Sequence, residues 1–264
     1  VAIFTFLFSR KYLSWMETYF YCFFGYATHG LLDACTSYGT QLFWPFTDER
    51  ISWNNISVVD PLLTVPVIIF IIISILKKNK FFTFFGVFYI FLYLGIGVVQ
   101  ENRAEKLGKS IANMRGHESK RLTVKPSLGN LFLWKAIYED NGFYYVDAVR
   151  LLSKLEYCQG TKIKKLDTSN NFMGLNQNSQ QYKDIERFNW FSQGYLGVGT
   201  QKNIITDVRY SAVPNEVDGL WGIQINPSKK NFEHVDWVVN RTTYKAKWKR
   251  FLDLLLGKGC KEIT

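Results

Sequence analysis

Two apolar runs, 58–76 (VVDPLLTVPVIIFIIISIL) and 81–100 (FFTFFGVFYIFLYLGIGVVQ), are separated only by Lys77-Lys78-Asn79-Lys80. A helix of about 20 apolar residues crosses a hydrocarbon core, so each run is long enough to span a bilayer, and the basic link is a tight interfacial loop. The pattern predicts a transmembrane hairpin with the lipid bilayer as its surroundings. Residues 1–100 are dominated by Phe, Ile, Leu, Val and Tyr, whereas 101–264 carry most of the charge and the turn residues of an ordinary soluble domain. The expected fold class is therefore α+β, with an N-terminal transmembrane helical bundle over 1–100 and a mainly antiparallel β soluble domain over 101–264.

The chain opens inside an apolar run, VAIFTFLF, that ends at Ser9-Arg10-Lys11. Only the end of a first span is expected there, which makes the protein multi-pass. Arg10, Lys11, Lys77, Lys78 and Lys80 concentrate on one side, while the 43–57 loop has only Arg50. The positive-inside rule puts the basic loops in the cytoplasm, and the 43–57 loop and C-terminal domain outside.

A net charge of +10 admits two kinds of partner. No zinc-finger, helix-turn-helix or RNP pattern accompanies it, so nucleic acid is not expected. An anionic lipid surface fits juxtamembrane Lys and Arg equally well. Neither a nucleophile elbow, a P-loop nor a dinucleotide-binding fingerprint occurs. The four cysteines, Cys22, Cys35, Cys158 and Cys260, form no close pair and are expected as unpaired thiols.

The segment 18–42 is aromatic but contains His29 and Asp33, and ionisable groups at membrane depth usually face a bundle interior or a polar cavity. At i and i+4 they share one helix face. Imidazole plus carboxylate suits Zn²⁺, with Mn²⁺ as an alternative. The pair also fits a purely structural role, each hydrogen-bonding the other or a neighbouring helix. Thr36, Ser37, Gly39 and Thr40 continue the polar stripe, and Asp48, Glu49 and Asp60 add carboxylates near the same membrane face. Asp60 precedes Pro61 at the start of a span, where it serves as a helix cap or as a ligand. Trp44 and Trp53 suit a membrane interface, and Gly39 a helix end.

The run His29-Gly-Leu-Leu-Asp33-Ala-Cys-Thr36-Ser37-Tyr-Gly39-Thr40, continued by Trp44-Pro45-Phe46, Trp53 and Asp60-Pro61, resembles the signature of the YdjM-type inner-membrane metal-dependent hydrolases. Asn130-Leu-Phe-Leu-Trp134, the hairpin after Tyr138 and Asp207-Val-Arg209-Tyr210 extend that likeness across most of 20–225. The resemblance implies an inner-membrane location and hydrolysis of an ester or phosphoester of a lipid-like substrate. It makes His29 and Asp33 metal ligands and Asp60 a catalytic base or further ligand. The family's upstream His-Arg-Gly-x-Thr-His-Ser motif is absent, so the chain is expected to be N-terminally truncated and to show at most half a metal site. The rival reading is a non-enzymatic membrane protein whose β domain binds a partner or envelope component.

In the C-terminal half, 122–126, 131–138, 143–150, 203–211 and 219–225 read as strands, with Asn141-Gly142 as a hairpin turn. A helix is expected near 184–191, after an Asn/Ser/Gln-rich link over 167–181. Residues 244–256 mix basic and apolar residues at helical spacing, which suits an anionic membrane surface or packing on their own domain. His117 and His234 have no ligand-spaced neighbours.

Overall fold

The computed structural model describes residues 1–167, 175–199, 203–240 and 244–263. It opens with α1 (Ala2–Ser9) and α2 (Trp15–Ala34). Ser14-Trp-Met-Glu17 is a capping box: Glu17 N–H donates to Ser14 Oγ at 3.3 Å and Ser14 N–H to Glu17 Oε2 at 2.8 Å. Two otherwise orphaned donors are thereby satisfied, and the new helix is set off from α1.

The predicted hairpin is present as α3 (Pro61–Lys77) and α4 (Phe81–Met114). Pro61 occupies the first helical turn, where its missing N–H costs nothing. Lys78, at φ 50°, reverses the chain. α4 is long and apolar enough to cross a membrane; α3 is apolar over 17 residues and shorter. Ile68, Ile69, Ile72, Phe84, Phe88 and Phe91 are exposed on this hairpin. An exposed apolar surface of that extent marks a membrane or partner contact.

α4 continues beyond residue 100 into the C-terminal half. There its character changes, and Ala104, Leu107 and Ile111 bury against Val124, Trp134, Ala136 and Val149 of the sheet. Its end is fastened by Arg115, which donates to both carboxylate oxygens of Asp147 at 2.7 and 2.8 Å.

The sheet is antiparallel throughout and has ten strands among the described residues. They are β1 (Arg121–Pro126), β2 (Leu133–Asp140), β3 (Phe143–Leu151), β4 (Leu155–Cys158), β5 (Lys162–Lys165), β6 (Leu196–Val198), β7 (Ile204–Asp207), β8 (Trp221–Gln224), β9 (Asp236–Val239) and β10 (Lys261–Glu262). The main path runs β1-β2-β3-β5-β6-β7-β8-β9; β4 also pairs with β3, and β10 with β4. Asn141 and Gly142 both have positive φ, which a two-residue hairpin of this kind requires. α5 (Gln180–Phe191) packs Ile185 and Phe188 on Leu196, Ile205 and Ile223. The polar link before it lies partly outside the described residues. α6 (Tyr244–Leu255) buries Phe251 and Leu254 against Leu133, Ala148 and Val213, so it packs on its own domain.

The expectation of four unpaired thiols is overturned. Cys158 and Cys260 form a disulfide, while Cys22 and Cys35 are free. The partners are 102 residues apart, so spacing gave no hint of the pair. They meet because Lys261 and Glu262 pair with Tyr157 and Glu156 in the sheet.

Candidate functional site

The loop from Cys35 to Asp60 connects α2 to α3 and packs against the sheet. It folds back on the end of α2, with Trp53 N–H donating to Ala34 O at 2.8 Å and Asn55 N–H to Cys35 O at 2.8 Å. Gly97 of α4 lets it approach: a Cβ there would lie 2.4 Å from the Asn55 carbonyl oxygen. Gly39 is not the end of α2, which stops at Ala34; it stands in this loop at φ +82°, with the Arg50 side chain packed on it. Arg50 donates to the carbonyls of Tyr38 and Gly39, both at 2.9 Å, and lies over the Trp190 and Phe191 rings of α5. The loop and the sheet therefore sit at one end of the α3–α4 hairpin, with the 77–80 turn at the other.

His29 and Asp33 lie one turn apart on α2, both exposed. Thr40 Oγ1 donates to Asp33 Oδ2 at 2.7 Å, and the Thr40 backbone is fixed by a two-way bridge to Ile51. The Asp33 carboxylate is thus oriented from outside its helix, as carboxylates that bind metals usually are. Asp60 is elsewhere in role. It is buried, caps α3 by accepting from the N–H groups of Leu62 and Leu63 at 3.1 and 3.3 Å, and receives the Tyr93 hydroxyl at 2.9 Å on each oxygen. Of its two anticipated roles, the structure displays the cap. Among the described residues no three His, Cys, Asp or Glu side chains group in a way that could hold a metal ion. His117 and His234 have structural partners, the Tyr138 hydroxyl at 2.9 Å and the Asp184 carboxylate at 2.8 Å.

A feature that sequence reasoning missed lies where the loop meets the sheet. A cavity of about 220 Å³ is walled by Ser37, Lys125, Lys135, Arg209, Trp221 and Phe251, among others. Lys125 and Lys135 are cross-strand partners on β1 and β2, and each is only 4% exposed. Burial, and after it the charge of Arg209, holds the Lys125 ammonium well below its ordinary range. Burial likewise draws Lys135 down to about 7, against the opposing pull of Asp207 and Glu216. Arg209 is paired with Asp207, at 2.7 Å. The available signal was a lysine at an inward-facing strand position in each of two neighbouring β runs.

A helix long and apolar enough to cross a membrane, with exposed Ile and Phe flanks, runs on to dock on an antiparallel sheet in a mixed α and β architecture. Residues 1–104 match the family model described as YdjM inner membrane protein, and the segment from His29 to Asp60 lies within the matched residues. The match ends within α4, and the likeness read into Asn130–Trp134 and Asp207–Tyr210 lies outside it. No curated protein and no solved structure matches the chain.

Proposed function

We propose that the chain belongs to a multi-pass, membrane-bound metal-dependent hydrolase acting on an ester or phosphoester of a lipid-like substrate. The observation that carries this reading is the Asp33 carboxylate, exposed at the end of α2, held by Thr40 and one turn from the exposed His29. The family match over residues 1–104 supports the inner-membrane setting. In the proposal His29 and Asp33 form one edge of a divalent-cation site for zinc, with manganese as the alternative. A catalytic site usually takes about three protein ligands, so at least one more donor is needed beside this pair. Bound, such a cation supplies Lewis-acid activation of the substrate. Asp33 contributes negative charge, Thr40 fixes its direction, and the exposed aromatic rings of Trp44 and Phe46 hold an apolar substrate at the bilayer edge.

Metal analysis of the full-length protein tests this. Near-stoichiometric Zn or Mn that is lost on His29→Ala supports the reading, whereas equal metal content in parent and variant sinks it.

A second reading, a non-enzymatic membrane protein with a partner-binding β domain, is favoured by the structural use made of the carboxylates. Asp60 is consumed by its cap and Tyr93, and Asp33 is engaged by Thr40. Under that reading the His29→Ala and Asp33→Asn variants alter folding and not turnover.

A further inference from the structure

Buried ammonium groups normally have a carboxylate partner. Among the described residues Lys125 and Lys135 have none. Lys125 Nζ donates to the Ser37 carbonyl at 2.9 Å and faces the Tyr210 ring at 4.9 Å. Lys135 Nζ donates to Ser211 Oγ at 2.7 Å and to the Glu216 carbonyl at 2.8 Å. In its protonated form each lysine has three donors, and an anion in the cavity would favour that form, leaving at least one donor of each for the anion. The two stand directly opposite each other across β1 and β2, an arrangement of like charges that is destabilising unless something compensates it. The nearby Asp207 is already engaged by three hydrogen bonds from the Arg209 guanidinium, at 2.7–3.2 Å, together with its backbone N–H. Ser37, which also lines the cavity, has a buried Oγ with no hydrogen-bond partner. Donors are therefore in excess on the Lys125 and Ser37 side of the cavity, where among the described residues the only acceptor for Lys125 is the Ser37 carbonyl.

The rest of the wall is apolar. Val58 and Val59 enter it from the segment leading into α3, the membrane edge of the hairpin. A second cavity of about 180 Å³ shares Leu128, Leu220 and Phe251 with the first and extends to Trp248 of α6. A polar, donor-rich end thus continues into an apolar groove beneath an amphipathic helix.

We propose that this cavity binds the phosphate of an anionic amphiphile, with the phosphate at Lys125, Lys135 and Ser37 and the apolar tail along Leu128, Leu220 and Phe251 towards Trp248. An anion there supplies the acceptors that the two ammonium groups and the serine lack, and it relieves their mutual repulsion. The site requires neither catalysis nor a metal at His29 and Asp33, so it stands or falls separately from the hydrolase reading.

Calorimetric titration of the full chain in detergent tests it with three probes: dihexanoyl phosphatidic acid, dihexanoylglycerol and inorganic phosphate. Two variants accompany the parent. Lys125→Met removes a buried charge, and Lys120→Met removes an exposed one at the same cost in net charge. The expected result is that phosphatidic acid binds the parent and Lys120→Met alike and binds Lys125→Met at least tenfold more weakly, while the melting temperature of Lys125→Met is not lowered. The neutral glycerolipid and inorganic phosphate should each bind the parent at least tenfold more weakly than phosphatidic acid. Inorganic phosphate binding as tightly as the amphiphile would overturn the lipid assignment in favour of a free anion. No phosphatidic acid binding by the parent, or equal losses in the two variants, would overturn the site altogether.

Discussion

Lys125 Nζ donates to the Ser37 carbonyl at 2.9 Å, linking the first strand of the sheet to the loop that follows α2. Tyr210 reaches the same carbonyl through its hydroxyl, and Gln193 donates to Arg50 O at 2.7 Å. The segment bearing the family motif is therefore held by side chains of the sheet domain, most of which lies beyond the matched residues.

The Lys135 ammonium gives stability a distinctive pH dependence. Burial brings it to about 7 in the folded chain, against an ordinary value of 10.5. Between those values the unfolded chain holds the proton and the folded chain does not, so stability rises with pH through this window. Below about 7 both states are protonated, and the penalty for burying the charge is present in full. Asp207, Glu216 and Asp218 oppose the shift, and Lys125 stands opposite on β1. Lys135→Met should therefore melt above the parent at pH 6.5, with the gap narrowing towards pH 10. A gap independent of pH would show that Lys135 is not held neutral.

The Arg115–Asp147 pair fastens α4 to the sheet. Asp147 is almost fully buried and also accepts from Gly160 N–H at 2.9 Å. Removing the guanidinium leaves an uncompensated buried carboxylate, which typically costs about 3–5 kcal/mol. Arg115→Met should lower stability by that order in denaturant titration, and Lys109→Met, which breaks the exposed pair with Glu105, by no more than about 1 kcal/mol. Equal effects would mean that the pair does not hold the helix end.

Replacing Cys158 by Ser opens a cross-link between residues 102 apart. Loss of a native disulfide usually costs roughly 2–5 kcal/mol. Disulfides persist in oxidising compartments. Maleimide labelling of whole cells should modify Cys158 and Cys260 only after reduction. Labelling without reductant, with no change in stability for Cys158→Ser, would contradict the bond.

What the sequence disclosed and what it hid follow from the range of the interactions concerned. The α3–α4 hairpin was legible because it rests on runs of Ile and Phe around a lysine-rich turn, and the β2–β3 hairpin because Asn141-Gly142 is a local signal. Strands β4, β5, β6, β9 and β10, which went unread, have four residues or fewer, too few to show alternation. The Cys158–Cys260 bond and the Lys125–Lys135 cavity depend on strand register, which brings together residues that spacing does not connect. At the candidate metal site, His29 and Asp33 were found through helical periodicity. The structural engagement of Asp60 depended on Tyr93, 33 residues away.

Asp60→Ala should lose the cap, about 0.5–2 kcal/mol, and leave the Tyr93 hydroxyl unpaired, about 1–3 kcal/mol more. Thermal melting in detergent reads both, and Tyr93→Phe in the same background separates them. An Asp60→Ala protein as stable as the parent would contradict the structural role of the cap and the Tyr93 bond.

Turnover by Asp33→Asn tests the hydrolase reading most directly. The full chain is reconstituted in nanodiscs with fluorogenic ester and phosphodiester amphiphiles, and melting temperatures are recorded on the same samples. The account predicts hydrolysis by the parent and a loss in Asp33→Asn of about a hundredfold, roughly 2.7 kcal/mol of barrier, with melting unchanged. A parent that cleaves neither substrate, or an Asp33→Asn variant that melts well below the parent while keeping its specific activity, would contradict it.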